Sequence, residues 1–172
     1  MTLTDDAIER YSRQILLPEI GGRGQERLCA TRGIVIGSGD AAAMVASLLA
    51  AAGMNVECRP GPPGTLVTTL GEVGAVVARL EAAAATVTTL AGQPCRQCIP
   101  PDLQPQANAR RADPDEVATA QVVGALVATE ALRLALGVAT SGRTQVIDLV
   151  TGTFAGRPIA ATSGCDACAP RA

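Results

Sequence analysis

The stretch "GIVIGSGDAAAMVASLLAAAG", residues 33–53, decides the fold of this chain. Its first residues, "GIVIG", are a short apolar run with β-branched side chains, which is typical of a central strand in a parallel sheet. Glycines follow, and the alanine-rich sequence after them predicts a helix from Asp40 to about Ala52, with Gly53 as its C-cap. A strand, a glycine turn and a helix in this order form the arrangement in which α/β proteins bind nucleotide phosphates.

The remaining segments predict a single α/β domain of 172 residues. We expect an N-terminal helical arm at about residues 1–32 and a Rossmann-like core at about residues 33–172, with helices flanking a mixed, mainly parallel sheet. Further helices are predicted at 4–17, 25–31, 71–83 and 113–137, and further strands at 54–58, 65–70, 85–90 and 144–154, the last as two strands joined by a turn. The Pro-rich segment 99–114 predicts a long mobile loop.

The composition excludes several classes of function. With a formal net charge of -2, the chain lacks the basic face that a nucleic-acid-binding protein needs. Only the alanine-rich helix after Asp40 approaches the length of a membrane span, and the acidic N-terminus is unlike a targeting signal, so we expect a cytoplasmic protein that binds no membrane.

The chain has no histidine and no lysine, so any cationic side chain on a phosphate must be one of its 14 arginines. Because aromatic residues are only 1%, the core must be aliphatic, and the isolated Cys29 and Cys58 are interpreted as members of it.

The other four cysteines form two CxxC pairs, Cys95 with Cys98 and Cys165 with Cys168. In a chain with no export signal, such pairs predict a metal site before they predict disulfides. Two pairs complete a tetrahedral shell of four thiolates with no open position, so the site is structural rather than catalytic. Zinc is the favoured ion, with iron or an iron–sulfur cluster as the alternative. Unrelated buried or redox-active thiols are the interpretation without a metal.

Six segments together resemble the ThiF/MoeB/HesA family, the bacterial relatives of ubiquitin-activating enzymes. They are "RYSRQILLPEIGGRGQERL" (10–28), "GIVIGSGDAA" (33–42), "PCRQCIPP" (94–101), "QVVGALVATEALRLALG" (121–137), "VIDLVTGTF" (146–154) and "GCDAC" (164–168). The resemblance implies a Rossmann-like dimer with a zinc site. It also implies an activity in which Mg-ATP adenylates the C-terminal glycine of a small ubiquitin-like sulfur-carrier protein, for thiocarboxylate or thioester formation.

The glycine turn departs from the family pattern. Gly37, Ser38 and Gly39 match that pattern and are the candidate nucleotide contacts, but Asp40 and Ala42 replace two further glycines. A carboxylate at a helix start takes the free N–H groups for itself, as an N-cap does, and it repels a triphosphate. The turn therefore predicts weakened binding of Mg-ATP.

The segments after the second strand are shortened as well. Glu57 is the candidate for the acidic ribose contact that the resemblance implies, and the polar segment with a phosphate-binding lysine is missing. No aspartate for magnesium can be placed after the next strand, where Glu72 is interpreted as a helix-start acid. The loop before the long helix lacks the cysteine with which some members form a thioester or persulfide.

Arg13 is a further candidate for a catalytic contact. The resemblance makes Arg13 a candidate arginine finger that reaches the ATP of a dimer partner; otherwise it is an exposed helix residue.

The nucleotide-site residues that are missing and the residues that are kept leave three hypotheses about function open. The favoured function is a catalytically degenerate, zinc-binding subunit, homo- or heterodimeric, that supports a full-length ThiF-type enzyme or presents its carrier. The alternatives are a self-sufficient adenylyltransferase of such a carrier, and a non-enzymatic homodimer or binder of another small ligand.

Overall fold

The computed structural model describes residues 2–81, 84–103 and 114–168. Five α-helices lie in these ranges: α1 Asp5–Arg10, α2 Ser12–Ile15, α3 Gly21–Ala30, α4 Gly39–Ala51 and α5 Pro114–Leu136. Seven strands lie there as well: β1 Arg32–Ile36, β2 Asn55–Arg59, β3 Thr65–Thr69, β4 Ala75–Glu81, β5 Ala84–Leu90, β6 Arg143–Asp148 and β7 Thr153–Pro158. Short 3-10 turns at Arg96–Cys98 and Pro101–Leu103 follow β5.

The seven described strands form one sheet in the order β2-β1-β3-β4-β5-β6-β7. The predicted α/β fold with a mixed sheet and flanking helices is therefore confirmed. The expectation of a mainly parallel sheet is wrong, because only β1 and β2 pair in parallel and the five other pairings are antiparallel. Connection length explains the difference: a parallel neighbour needs a crossover of about a dozen residues or more, and most of these strands are joined by short turns.

Strand β4 stands where the sequence predicted a helix over 71–83. The Leu70 N–H donates to the Gly74 carbonyl oxygen at 2.9 Å and closes a hairpin between β3 and β4. Val76 packs in the core on the helical side of the sheet, and Val77 packs in the core on the other side. A strand buried on both faces reads as a continuous apolar run rather than an alternating one, which explains why the segment resembled a helix.

One face of the sheet carries α4 and α5, which lie side by side on it. Their buried side chains form the larger core, which is aliphatic and rich in alanine as predicted. Small residues let the two helices approach closely, since a Cβ placed on Gly124 would lie 2.7 Å from the Ala41 carbonyl oxygen. Close packing of this kind partly offsets the small apolar area that each alanine buries.

Residues Val117–Leu136 of α5 are long and apolar enough to cross a membrane, by length and composition alone. From the sequence, we expected only the helix after Asp40 to approach the length of a membrane span. That expectation is wrong, because α5 reaches this length and α4 is shorter. α5 packs against α4 and the strands β3 to β5. It also buries Glu130, which accepts hydrogen bonds from the side chains of Thr89 and Gln145, both at 3.0 Å. These contacts identify α5 as a core helix of this fold.

The opposite face of the sheet is covered by the two cysteine-bearing segments. Ile99, Leu103 and Ile159 from these segments pack with Val67 of β3 in a second, smaller core. The beginning of the predicted mobile loop is therefore packed on the sheet, and its part at 104–113 lies outside the described residues.

The N-terminal arm packs against the far end of α4. The helix predicted over 4–17 is interrupted at Tyr11 and forms α1 and α2. Thr4 caps α1 as predicted, because its hydroxyl accepts from the Ala7 N–H at 3.3 Å. Gln25 of α3 is fully buried and donates to the Ala52 carbonyl oxygen at 2.9 Å, which fixes the arm to the core.

Replacing Gly74 by alanine distinguishes the hairpin from the helix predicted over 71–83. In the hairpin the new Cβ would lie 2.2 Å from the Leu90 carbonyl oxygen at a φ of +151°. We therefore expect Gly74→Ala to lower the free energy of unfolding by about 2 kcal/mol or more, whereas in a helix it would raise it by about 1 kcal/mol. Urea unfolding measures the difference. Gly22→Ala is the control, since its Cβ meets nothing within 4 Å; equal stability of the two variants would contradict the hairpin.

Candidate functional site

The four paired cysteines converge, although 70 residues separate Cys95 from Cys165. Their sulfur atoms all lie within 4.8 Å of one another. The Sγ–Sγ distance is 3.9 Å between Cys95 and Cys98, 3.7 Å between Cys95 and Cys165, and 3.3 Å between Cys98 and Cys168. The structure thus brings the predicted residues together as one cluster, with no disulfide among these four cysteines.

The sulfur spacing fits a single metal ion. A tetrahedral ion with metal–sulfur bonds of about 2.3 Å holds its sulfurs about 3.8 Å apart, close to the 3.3 to 3.9 Å of the three pairs given above, and the other pairs lie within 4.8 Å. A disulfide would need about 2.05 Å. An iron–sulfur cluster places its own atoms at the centre and therefore needs a wider arrangement of cysteines. The four cysteines could bind one metal ion in a closed shell.

Backbone N–H groups point at two of the sulfurs. The Thr162 N–H donates to Cys98 Sγ at 3.3 Å, and the Cys95 N–H donates to Cys168 Sγ at 3.2 Å. The hydrogen bond from Thr162 lowers the pKa of Cys98 to about 6. Contact with Cys95 and then burial raise the pKa of Cys168 to about 12, since adjacent sulfurs cannot all ionise without a cation beside them. A divalent ion would supply that charge.

The two cysteine pairs come from different parts of the chain. Cys95 and Cys98 follow β5, and Cys165 and Cys168 follow β7. The Gln93 side-chain amide also donates to the Cys168 carbonyl oxygen. An ion held by all four thiolates would tie the segment after β7 onto the sheet. With no open position, it would contribute stability rather than catalysis.

The glycine turn joins β1 to α4 as predicted, but its polar groups differ from the prediction. Ser38 is the N-cap residue of α4 and makes no side-chain capping hydrogen bond, and Gly39 has a φ of +74°. Asp40 is exposed in the first helical turn, and within the described part of the chain its carboxylate bonds to no helix N–H. The prediction that Asp40 caps the helix is therefore wrong, because the cap falls two residues earlier. Its charge still lies at the helix start, where it opposes a phosphate.

The link between β2 and β3, residues 60–64, runs over this turn. The Gly37 N–H donates to the Arg59 carbonyl oxygen at 3.0 Å. A Cβ placed on Gly61 would lie 2.9 Å from the Gly37 nitrogen and 3.0 Å from its Cα. A Cβ on Gly37 itself would lie 2.9 Å from a methyl group of Leu66. Backbone therefore lies directly against backbone at this point.

Charged side chains on the strands near the turn are bound to groups of the protein. Glu57, the candidate ribose contact, accepts from Arg32 and from Arg59, both at 2.7 Å. Hydrogen bonds from Arg59 and then Arg32 hold the pKa of the Glu57 carboxyl below its ordinary value. Arg79 of β4 donates to the Asp102 carbonyl oxygen at 2.8 Å. These side chains are therefore already oriented by contacts within the protein.

The other candidate residues lie away from the turn. Glu72 lies in the turn between β3 and β4. Because β3 runs antiparallel to β1, this turn is at the amino end of β1, opposite to the glycine turn, and Glu72 does not begin a helix. Arg13 is exposed on α2. Cys58 is exposed on the edge strand β2, so its assignment to the core is wrong, and Cys29 is half-buried.

The sequence did not point to Thr162 or Gly61. The contribution of Thr162 is a backbone N–H, which no residue type reveals. Gly61 lies in "RPGPPG", which predicts a loop and nothing about what the loop touches. Its position follows only from the strand order, which is a property of the whole sheet.

Comparisons with known proteins give relatives over part of the chain. The "Adenylyltransferase and sulfurtransferase MOCS3" of Mus musculus is 54% identical over 52 residues, which is 30% of this chain and 11% of the mouse protein. The "SAMP-activating enzyme E1" of Haloferax volcanii is 45% identical over 56 residues, 31% of this chain and 21% of that protein. The "Sulfur carrier protein adenylyltransferase" of Thermus thermophilus is 41% identical over 54 residues, 31% of this chain and 20% of that protein. No protein-family model matches the chain.

The fold and the cysteine cluster define an α/β protein with a mixed sheet and a four-cysteine centre. Within this class, the relatives confirm the resemblance to the ThiF/MoeB-type adenylyltransferases, over about 30% of the chain. The matched segment spans 11% to 21% of these relatives. The activities named for those whole proteins are therefore a matter of proposal for this chain.

Purified protein should contain one metal ion per chain, and Cys98→Ser should release it. Cys98 is buried, and a hydroxyl in its place opens the four-thiolate shell. Plasma mass spectrometry measures the metal content, and we expect the Tm to fall by about 5 °C or more. Cys58→Ser is the control, because it removes an exposed cysteine outside the cluster. Full metal content and an unchanged Tm in Cys98→Ser would contradict the metal centre.

Proposed function

We propose that this protein is a catalytically degenerate ThiF-type subunit, stabilised by a structural zinc ion, that supports adenylation of a small sulfur-carrier protein. A contrast within one fold carries the proposal. The four cysteines lie within 4.8 Å of one another, whereas two of the candidate nucleotide contacts are bound to the protein itself. The Gly37 N–H is bonded to Arg59, and Glu57 is bonded to two arginines. The cysteines that hold the architecture are in place, whereas Gly37 and Glu57 are engaged elsewhere and a phosphate-binding lysine is missing.

Zinc is the metal that suits this site best. The ligand set is four thiolates, which is a common structural zinc site. Zinc has no redox chemistry, and a closed shell leaves no position for substrate or water. The proposed task of the ion is to hold the segment after β7 against the sheet.

The residues around the glycine turn do not fit Mg-ATP. Asp40 places negative charge at the start of α4, and the chain has no lysine. Glu72 lies at the amino end of β1, away from the glycine turn. A self-sufficient adenylyltransferase would have to use arginines in place of the lysine, and Arg59 and Arg79 already bond to Glu57 and to the Asp102 carbonyl oxygen. We therefore assign no step of the adenylation to this chain alone.

The partner in this proposal is a full-length ThiF-type enzyme that supplies the ATP site, and both act in the cytoplasm. One relative is named for adenylating a sulfur-carrier protein, so the proposed substrate of the complex is a small ubiquitin-like carrier. Arg13 is exposed on α2. We propose that it reaches the partner's ATP, since a guanidinium is always charged and binds phosphate through two parallel hydrogen bonds.

This chain alone should catalyse no ATP–pyrophosphate exchange in the presence of a sulfur-carrier protein. Added to a ThiF-type enzyme from the same cell, it should bind that enzyme and raise its exchange rate. Radioactive exchange and co-purification measure the two effects. Exchange by the isolated chain would refute the proposal, and absence of any effect on the enzyme would favour a non-enzymatic homodimer.

Arg13→Ala should lower the exchange rate of the complex by about 100-fold or more, as expected for an arginine that contacts a transferring phosphate. The Tm of the isolated chain should stay unchanged, because the side chain is exposed. Arg23→Ala is the matched control: it removes the same charge from an exposed position on the neighbouring helix α3. Equal effects of the two variants would show that Arg13 contributes only general charge.

A further inference from the structure

The strand order places the link between β2 and β3 over the carboxyl end of β1. β2 and β3 are the two neighbours of β1 in the sheet. β2 ends at Arg59 and β3 begins at Thr65. Both residues lie at the carboxyl end of β1, because β2 is parallel to it and β3 antiparallel. The chain must therefore cross above Gly37, where β1 leads into the glycine turn.

The link is short and crosses close to the turn. Two strand spacings amount to about 9.6 Å, and the six steps from Arg59 to Thr65 reach about 20 Å when fully extended. Three of them are prolines, which restrict the backbone further. Part of the reach is used in a turn, where the Thr65 N–H donates to the Pro62 carbonyl oxygen at 3.2 Å. The far end is held by the Leu80 N–H, which donates to the Gly64 carbonyl oxygen at 2.9 Å.

The crossing occupies the place where open α/β sheets bind their ligands. That place is the crevice outside the carboxyl ends of the strands, at the point where the strand order reverses. In this sheet the point is β1, with β2 on one side and β3 on the other. A glycine at the turn ordinarily lets a pyrophosphate approach the backbone. Here the backbone of Gly61 makes that approach to Gly37, at a distance that excludes any side chain.

We propose that residues 60–64 fill the crevice above β1 in place of a nucleotide phosphate, so that this chain closes its own glycine turn. Gly37 and Gly61 are then required for packing against each other and not for a ligand. This inference goes beyond the proposed function, because it holds whether or not the chain supports a partner enzyme. It also differs from the effect of Asp40, since removing that carboxylate leaves the link in place.

Calorimetry with Mg-ATP shows whether the link 60–64 or the Asp40 carboxylate is what prevents nucleotide binding. We expect no saturable heat at millimolar Mg-ATP, either from the wild-type chain or from Asp40→Gly. Saturable binding by the wild-type chain would overturn the inference. Binding gained by Asp40→Gly would overturn it as well, because the carboxylate would then be the obstacle.

A stability measurement tests the contact itself. Gly61→Ala should lower the Tm by about 5 °C or more, because the new Cβ would lie 2.9 Å from the Gly37 nitrogen. Gly22→Ala is the control with open space around its Cβ. An unchanged Tm in Gly61→Ala would overturn the inference.

Hydrogen exchange on the wild-type chain keeps the test decisive if Gly61→Ala does not fold. The Gly37 amide should exchange as slowly as the amides of β1, because it is bonded to Arg59 and covered by Gly61. Fast exchange at Gly37 would show that the turn is open, and it would overturn the inference.

Discussion

The connection between β2 and β3 constrains this molecule more than any other single feature. Because it is five residues long, it is too short for the crossover that would make β3 parallel to β2, and β3 lies on the far side of β1 and antiparallel to it. Strands β4, β5 and β7 each follow the preceding strand through a short connection, whereas α5 lies between β5 and β6, and the sheet is mixed rather than mainly parallel. The same shortness presses Gly61 onto Gly37. The antiparallel course of β3 and the closed glycine turn are therefore both tied to one short link.

The cysteine cluster constrains the other face of the sheet. The second core there is small, formed by residues such as Ile99, Leu103 and Ile159, and small cores contribute little stability by themselves. Four cysteine sulfurs at metal-binding distance lie beside this core, so an ion would add stability where apolar burial is least. The larger core on the helical face relies instead on close contact between small residues of α4 and α5, as at Gly124.

Features set by local sequence could be predicted, and features set by distant contacts could not. The β1–turn–α4 unit, the cap at Thr4 and the grouping of the cysteines follow from short patterns of residues. The segment 71–83 was predicted as a helix, since its apolar spacing suits both structures and only its burial on both faces makes it a strand. The N-cap of α4 is Ser38 and not Asp40, because sequence patterns do not locate the start of a helix to within two residues. That Gly61 covers Gly37 depends on the order of the strands, and no local pattern encodes that order.

In the function proposed above, a fold that keeps its four-cysteine cluster and closes its glycine turn assists an adenylating partner without performing the reaction itself. The most direct test is a crystal structure grown with Mg-ATP, with anomalous data collected at the zinc edge. If the link closes the turn, the density will show zinc at the centre of the four sulfurs, residues 60–64 lying on Gly37, and no phosphate between them. Phosphate density seated on Gly37 and Gly39, with the link displaced, would contradict the central claim.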